Sequence, residues 1–289
     1  MDVHVVDGTY ELFRHYFAVP SRRDDAGQEV GALVGVVGSI LSMIEDGATH
    51  LGVATDHTVE SFRNDLYDGY KTGDGIEPAL FRQFHPLEDT LEAAGVRVWR
   101  MIDQEADDGL AAAAARAADD SRVSRVLICS PDKDLAQCVR GQRVVQFDRR
   151  KREIRDESGV REKFGVGPES IPDWLALVGD SADGFPGVPR WGAKSAAAVL
   201  GEYEHLEHIP REVADWSVDV RGAKALAGTL REHWADALLY RDLATLRRDA
   251  PVFESVEELR WRGPTPAFAD LCARLGTPGL ARRAERLRA

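Results

Sequence analysis

The sequence predicts an α/β protein with a parallel sheet, followed by a mostly helical region. In the first half of the 289-residue chain, short apolar runs alternate four times with segments of helical spacing. Beyond residue 161 the apolar residues recur almost only at helical spacing. Alternating strands and helices of this length imply parallel strands joined by crossover helices. In open sheets of this kind the functional site lies outside the carboxyl ends of the strands.

Each predicted strand is a short apolar run closed by polar residues or glycine. The four runs lie at residues 3–6, 50–54, 96–102 and 125–129. Helices are predicted between and after them, at 10–17, 30–44, 78–94, 110–118, 168–178 and from residue 193 onward. The runs at 144–147 and 153–155 predict a hairpin with a basic tip, and a Gly/Pro-rich turn at 184–189 separates the last two helices.

All four predicted strands lead into acidic residues. The carboxylates that follow them are Asp7, Asp56, Glu105, Asp107, Asp108, Asp132 and Asp134. Any one of them has an ordinary explanation, because acids favour the first turn of a helix. Acids at the ends of all four strands are better explained by one shared site than by chance, since parallel strands end at one edge of the sheet.

Composition indicates a globular chain with a substantial core. The hydrophobic content is 44% and the net charge is −12, from 37 basic and 49 acidic residues. Binding of nucleic acid normally requires a basic surface, but carboxylates gathered around divalent cations lower the formal charge without making that surface acidic. The net charge therefore does not decide between partners.

No segment predicts export or membrane insertion. The longest apolar stretch, 33–44, is interrupted by glycine and serine and is too short to span a bilayer. The chain opens without a signal-peptide pattern, so we expect a cytoplasmic protein with no membrane partner. Its three cysteines lack zinc-site spacing and are expected to be reduced.

The clustered acids predict a metal centre. Carboxylates packed together repel one another and stay ionised only beside compensating cations. An all-oxygen ligand set without histidine or cysteine favours Mg²⁺ or Mn²⁺ over zinc. Such sites support two-metal hydrolysis of phosphodiesters, and because no seryl or cysteinyl nucleophile motif is visible, we expect water to be the attacking group.

Several motifs, taken in order, resemble the signatures of the flap endonuclease family. They are residues 6–9 with Arg14, Asp56 followed by 62–71, residues 105–108, residues 132–134 and residues 179–188. The chain is most similar to the 5′ nuclease domain attached to bacterial family-A DNA polymerases, and it looks like a free-standing form. The resemblance implies a PIN-like, Rossmann-like nuclease core with a helical arch at 1–165. It also implies a helical region at 166–289 with a helix-hairpin-helix type DNA-binding element.

The resemblance further implies a structure-specific 5′ nuclease with 5′–3′ exonuclease and flap endonuclease activity. Its substrates would be DNA with 5′ flaps, nicks or free 5′ ends, including RNA-primed ends, in replication and repair. A functional link to a DNA polymerase is expected, and we expect a monomer. Two other functions remain open: a catalytically weak DNA-structure binding protein, and a related RNA-cleaving PIN-like nuclease.

The same resemblance assigns roles to individual residues. The metal ligands would be Asp7, Asp56, Glu105, Asp107, Asp108, Asp132, Asp134, Asp180 and Asp183. Arg63 and Lys71 would contact the scissile phosphate, Arg14 would contact phosphate, and Tyr70 would stack on a base. For Tyr70 the alternative is a core aromatic on an amphipathic helix.

The resemblance implies that the helix-hairpin-helix element binds duplex phosphates through backbone amides at a helix N-terminus. Its contacts would be Gly187, Arg190, Gly192, Lys194 and Ser195, with K⁺ as a bound ion. This chain has Arg190-Trp191-Gly192 where the family has Gly-Val-Gly. We therefore leave the K⁺ site open and expect Arg190 to contact phosphate directly. Asp74 and the segment 57–60 also replace residues that are usually basic, which weakens the charge of the arch.

Overall fold

The structure, a computed structural model, describes residues 1–288. Its strands are β1 Asp2–Asp7, β2 His50–Asp56, β3 Arg97–Met101, β4 Arg125–Cys129, β5 Val144–Asp148 and β6 Glu153–Arg155. Its α-helices are α1 Gly8–Tyr16, α2 Gly31–Glu45, α3 Phe62–Leu66, α4 Pro78–Phe81, α5 Phe84–Ala93, α6 Ala106–Asp119, α7 Glu157–Phe164, α8 Ile171–Val178, α9 Ala193–Tyr203, α10 Ala223–Glu232, α11 Trp234–Ala244, α12 Ala267–Arg274 and α13 Pro278–Leu287. The mixed α/β class predicted from the sequence is confirmed.

The chain forms two compact units that are interleaved along the sequence. The first unit contains Met1–Val59, Gly73–Ser130 and the residues from Arg247 onward. The second unit contains Glu60–Thr72 and Pro131–Leu246. These units do not coincide with the segments 1–165 and 166–289, and that division of the sequence stays a prediction.

The first unit is built on a parallel sheet with strand order β3-β2-β1-β4. Val6 pairs with Val53, which pairs with Val98, and Val5 pairs with Ile128. All four strands lie where the apolar runs predicted them. Helix α6 packs against β1, β2 and β4 through buried alanines, whose short side chains let its backbone lie close to the sheet. The carboxyl ends of the strands therefore share one edge, as the sequence predicted.

The helix predicted at 78–94 is interrupted, which corrects the sequence reading. It forms α4 and α5, with Arg82 and Gln83 between them. Pro86 explains the break, because its ring clashes with the carbonyl four residues earlier and it has no N–H to donate. The predicted apolar face is nevertheless buried, at Leu80, Phe84, Leu87 and Leu91.

The second unit combines a short hairpin with a helical core. Strands β5 and β6 pair antiparallel, with Phe147 opposite Ile154, which confirms the predicted hairpin. Helices α8 and α11 pack on each other, and the Phe185 and Tyr240 rings stack with centroids 5.7 Å apart. The buried set around them runs from Tyr70 to Ala244. Among residues 1–288, every helix is too short or too polar to cross a lipid bilayer.

Candidate metal centre

In the first unit, the carboxyl edge of the sheet holds Asp7 in a fixed orientation. Asp7 ends β1, and its Oδ1 accepts the Tyr10 N–H at 2.8 Å, which caps helix α1. Its Oδ2 accepts the hydroxyl of Ser130 at 3.0 Å, and Ser130 directly follows β4. Two strand ends are thus joined through one carboxylate.

Asp56 links the end of β2 to the start of α6. Its Oδ1 accepts the Ala106 N–H at 2.7 Å, and its own N–H donates to the Thr9 hydroxyl at 2.9 Å. The acidic stretch therefore begins helix α6 beside the strand ends, where the sequence placed it. Glu105 is buried and Asp107 is half-buried.

Asp108 differs from its neighbours because backbone amides occupy both of its carboxylate oxygens. Oδ2 accepts the Glu105 N–H at 3.0 Å and Oδ1 accepts the Arg247 N–H at 2.8 Å. The side chain is fully buried. Because a metal at Asp108 would have to share or displace these bonds, the placement favours a role in fixing helix α6 over a direct ligand role.

In the second unit, three carboxylates converge closely enough to hold one ion. Oxygens of Asp134, Asp180 and Asp183 all lie within 4.8 Å of one another. In the described part of the chain this is the one group of three or more acidic, histidine or cysteine side chains at such distances. We call these three residues the acidic triad. Asp132 lies beside it, and its Oδ1 accepts the Asp134 N–H at 3.3 Å.

The loop after α8 positions two members of the triad. Asp180 donates its N–H to the Phe185 carbonyl at 2.8 Å, and its own carbonyl accepts the Gly184 N–H at 2.9 Å. Gly184 has φ +90°, and a Cβ there would lie 2.1 Å from the Gly69 carbonyl oxygen. Only glycine fits this position without strain. The tight turn keeps Asp180 and Asp183 on one side of the loop.

Within the triad, Asp134 has a raised pKa. Its Oδ1 is buried and accepts no hydrogen bond. Burial first, and then the neighbouring charges of Asp132, Asp183 and Asp180, raise the pKa of Asp134 well above its ordinary value. A divalent cation would reverse this effect by favouring the ionised carboxylate. An oxygen-only set of this kind fits a hard cation.

Two lysines lie against the triad. Lys133 Nζ is 2.8 Å from Asp180 Oδ2, and Lys71 Nζ is 2.8 Å from Asp183 Oδ1. Burial opposes the charged form of Lys133, but the hydrogen bond and charge of Asp180 outweigh burial and raise its pKa. No role was predicted for Lys133, although it lies between two acids in the order Asp-Lys-Asp.

Arg63 and Tyr70, both predicted to contact substrate, are buried in the second unit. Arg63 is 1% exposed, and its guanidinium donates to the carbonyls of Leu243 at 2.7 Å and Thr245 at 3.3 Å. Tyr70 is 4% exposed within the hydrophobic core. This placement argues against the predicted phosphate contact of Arg63, because backbone carbonyls already engage its head. For Tyr70 it favours the core alternative over base stacking, but Tyr70 lies in the loop after α3 and not on an amphipathic helix.

Lys71 and Arg14 keep part of their side chains in solvent. Lys71 is one-third exposed beside Asp183, so it can reach both the triad and a ligand. Arg14 is about one-quarter exposed, and its guanidinium lies 2.5 Å from a carboxylate oxygen of Glu11. Arg14 is therefore oriented by a buried acid on its own helix.

The region predicted to form the helix-hairpin-helix element contains the N-terminus of α9. Ser195 Oγ accepts the Gly192 N–H at 3.1 Å, and Lys194 is exposed. Arg190 is exposed and left-handed, with φ +73°. Trp191 points inward, and its indole N–H donates to the Leu226 carbonyl at 3.2 Å. Trp191, one of the two residues that depart from the Gly-Val-Gly pattern, thus anchors the turn.

Gly187 lies buried in the preceding turn with φ +74°. A Cβ there would lie 2.4 Å from the backbone nitrogen of Gly179. The predicted contacts of the helix-hairpin-helix element consequently differ in their access to a ligand. Arg190, Gly192, Lys194 and Ser195 lie at or near the surface, whereas Gly187 serves the turn itself.

Two family models match consecutive parts of the chain. The 5′-3′ exonuclease N-terminal resolvase-like domain matches residues 2–165, and the 5′-3′ exonuclease C-terminal SAM fold matches residues 166–267. The chain belongs to the 5′-3′ exonuclease family, whose members are nucleases that act on DNA. The resemblance seen in the sequence motifs is confirmed.

Relatives include both long and short proteins. DNA polymerase I of Bacillus caldotenax is 34% identical over 90% of this chain, which spans 29% of that protein's length. The 5′-3′ exonuclease of Buchnera aphidicola subsp. Schizaphis graminum is 29% identical over 88% of this chain and 89% of its own length. The chain thus spans under a third of the polymerase relatives that it matches.

Solved structures share the fold. T5 5′-exonuclease with bound zinc ions has a TM-score of 0.67 at 18% identity, over 99% of this chain and 98% of that one. Flap endonuclease-1 from Methanococcus jannaschii has a TM-score of 0.62 at 13% identity, over 99% and 91%. Divalent metal ions thus occur in a structure of the same fold, and this chain contains an acidic cluster of its own.

Proposed function

We propose that the chain is a structure-specific 5′ nuclease that hydrolyses DNA phosphodiesters with bound Mg²⁺ or Mn²⁺. The acidic triad is the observation that carries this proposal, because its oxygens lie within 4.8 Å of one another around a buried Asp134 oxygen without a hydrogen-bond partner. Membership in a nuclease family supports it. T5 flap endonuclease has been solved with DNA and metal ions, which supports DNA as the substrate class.

The residues divide into ligands and supports. We propose Asp134, Asp180 and Asp183, with Asp132 beside them, as metal ligands of the second unit. In the first unit we propose Asp7, Asp56, Glu105 and Asp107, while Asp108 fixes the start of α6. When bound, the ions would supply activation of water and stabilisation of the leaving oxygen.

The side chains around the triad bind and orient. Lys71, held by Asp183 and one-third exposed, is placed to neutralise the charge of a substrate phosphate. Lys133 holds Asp180 in one orientation. We propose Arg190 and Lys194 as phosphate contacts of the duplex, with Arg14 as a further contact. Gly192 and Ser195 hydrogen-bond to each other and shape the start of α9 beside them.

We propose 5′ flaps, nicks and free 5′ ends, including RNA-primed ends, as substrates. The polymerase relatives support a functional link to a DNA polymerase. We also propose a monomer and a cytoplasmic location, in keeping with a DNA substrate.

Cleavage of a 5′-labelled flap substrate during Mg²⁺ and Mn²⁺ titration tests this function. Asp134→Asn should lower turnover at least about 100-fold, because it removes a charged oxygen at the centre of the site. Asp219→Asn, an exposed control, should retain turnover. Cleavage by Asp134→Asn at the parent rate would contradict the ligand assignment. Tight flap binding without hydrolysis in Mn²⁺ would instead support a DNA-structure binding protein, and preference for a matched RNA flap would support an RNA nuclease.

A further inference from the structure

The second unit contains a cavity whose lining includes neither the acidic triad nor the predicted phosphate contacts. It has a volume of about 510 Å³ and opens between the segment after α9 and helix α10. Buried aliphatic side chains form its floor, among them Leu206, Ile209 and Leu230. The indoles of Trp216 and Trp234 line its sides. Binding pockets in proteins commonly have about 300–1,000 Å³.

The lining favours an apolar side chain over a nucleobase. The Trp216 N–H already donates to the Pro210 carbonyl at 2.8 Å, so this indole presents apolar surface. Leu206, Ile209 and Leu230 offer no hydrogen-bonding side-chain atoms. A base inserted here would find no polar side chain on the aliphatic floor to pair with its edges, which is costly in a buried site. An aliphatic or aromatic side chain has no polar edge to satisfy there.

The rim adds positive charge that is available to a ligand. Within residues 1–288, Arg211 is exposed and forms neither an ion pair nor a hydrogen bond. Arg231 pairs with Glu212 at 3.8 Å, but both side chains are more than 60% exposed. Exposed pairs of this kind contribute little and exchange easily.

The one acid in the lining is already neutralised. Glu207 lies 2.6 Å from the Arg241 guanidinium. The hydrogen bond from Arg241 is the main reason that the pKa of Glu207 is lowered. The charge left for a ligand at the rim is therefore that of Arg211 and Arg231.

We propose that this cavity docks a short acidic peptide segment of a partner protein. A bulky apolar side chain of the peptide fills the space between Trp216 and Trp234, and its neighbouring carboxylates pair with Arg211 and Arg231. Tryptophan and arginine are the side chains that most often dominate the energy of protein interfaces. The two arginines at the rim make the site prefer acidic peptides over neutral or basic ones.

Fluorescence anisotropy with the full chain tests the proposal. The probe is a fluorescein-labelled Asp-Asp-Asp-Leu-Phe peptide, and saturable binding with a shift in tryptophan emission is expected. The double variant Arg211→Glu, Arg231→Glu should weaken binding at least roughly tenfold. The matched control Arg282→Glu, Arg286→Glu changes two exposed arginines of α13 and should bind as the parent does.

Peptide variants separate the two parts of the proposed contact. Replacing the three aspartates with serine, or the two apolar residues with serine, should each weaken binding to the parent chain. A Lys-Lys-Lys-Leu-Phe peptide should bind the charge-reversed double variant better than the parent. Equal binding of the acidic peptide to parent and double variant would overturn the proposal. Competitive displacement by a single-stranded oligonucleotide, together with equal binding of the serine peptides, would assign the cavity to nucleic acid instead.

Discussion

Arg63 and Lys71 belong to one segment of the second unit, yet their surroundings give them different tasks. The Arg63 guanidinium donates to backbone carbonyls of the α11 end, and its side chain is almost fully buried. Lys71 instead pairs with Asp183 and stays one-third exposed. A buried charged donor is costly to remove, whereas a lysine that is one-third exposed beside its acid can also contact a ligand.

Substitution of the two residues should separate stability from activity. Arg63→Met should lower the free energy of unfolding by at least about 2 kcal/mol, because buried carbonyls lose charged donors. Lys71→Met should change it by less than about 1 kcal/mol but reduce flap cleavage. Urea unfolding and cleavage rates measure the two effects. A stable Arg63→Met protein with weakened DNA binding would restore the phosphate contact that the sequence predicted.

His50 should make stability depend on pH. It begins β2 as a buried side chain, and burial is the main reason that its pKa is lowered, with Arg260 and Arg122 adding to the effect and Glu257 opposing it. The unfolded chain therefore binds a proton at higher pH than the folded chain does. As pH falls below the ordinary histidine range of about 6.5, the unfolded state gains stability and the free energy of unfolding decreases.

His50→Gln should remove this part of the pH dependence. The loss of stability between pH 7.5 and 5 should be smaller in the variant than in the parent, as urea midpoints at each pH would show. Identical pH profiles for parent and variant would contradict the assigned burial effect.

At the scale of elements, the loop after α8 shows why the motif that carries the family resemblance predicted two triad members. The motif Gly-Asp-Ser-Ala-Asp-Gly, residues 179–184, contains both the acids and the glycines that allow the tight turn. Hydrogen bonds between Asp180 and Phe185 close the loop. Local chemistry therefore decides this element almost completely.

Gly184→Ala should damage this loop far more than Gly192→Ala damages the start of α9. At Gly184 a Cβ meets the Gly69 carbonyl at 2.1 Å and φ is +90°, so a loss of at least about 2 kcal/mol is expected. At Gly192 a Cβ meets nothing within 4 Å, and an effect below about 1 kcal/mol is expected. Thermal unfolding compares the pair. Equal melting temperatures would show that the loop can move without cost.

At the same scale, apolar spacing alone overlooked the break at Pro86, although proline is a sequence signal for a helix break. The sequence could not predict which acid binds the backbone of a distant segment. Pro86 interrupts the helix predicted at 78–94, although the apolar spacing continues through it. Asp108 carries the same charge as Asp107, but it is turned onto the amides of Glu105 and Arg247. Arg247 is far from Asp108 in the sequence, so no local pattern indicated that its amide would donate to Asp108.

For the whole molecule, the net charge of −12 conceals how its acids are arranged. Part of that charge is concentrated in the acidic triad, where burial and repulsion oppose ionisation of Asp134. A ligand that binds only the folded chain stabilises it by mass action. Divalent cations should therefore act on the stability of the molecule as well as on its activity.

Mg²⁺ or Mn²⁺ should raise the melting temperature relative to EDTA. Metal at 100 times its dissociation constant should add about 2.7 kcal/mol. Asp180→Asn should lose most of this gain, because it removes a triad charge, whereas the exposed control Asp219→Asn should keep it. An equal metal response in all three proteins would place the stabilising ion elsewhere.

The sequence by itself determined the α/β class, the four acid-bearing strand ends and the glycine loop that holds Asp180 and Asp183. Periodicity, turn chemistry and motif order are local, so they survive without knowledge of packing. Only the tertiary structure decided that Arg63 and Tyr70 are buried, that Asp108 binds amides, and that Trp216 and Trp234 line one cavity. These outcomes depend on which distant segment lies against each side chain, and that choice is made by the packing of the whole core.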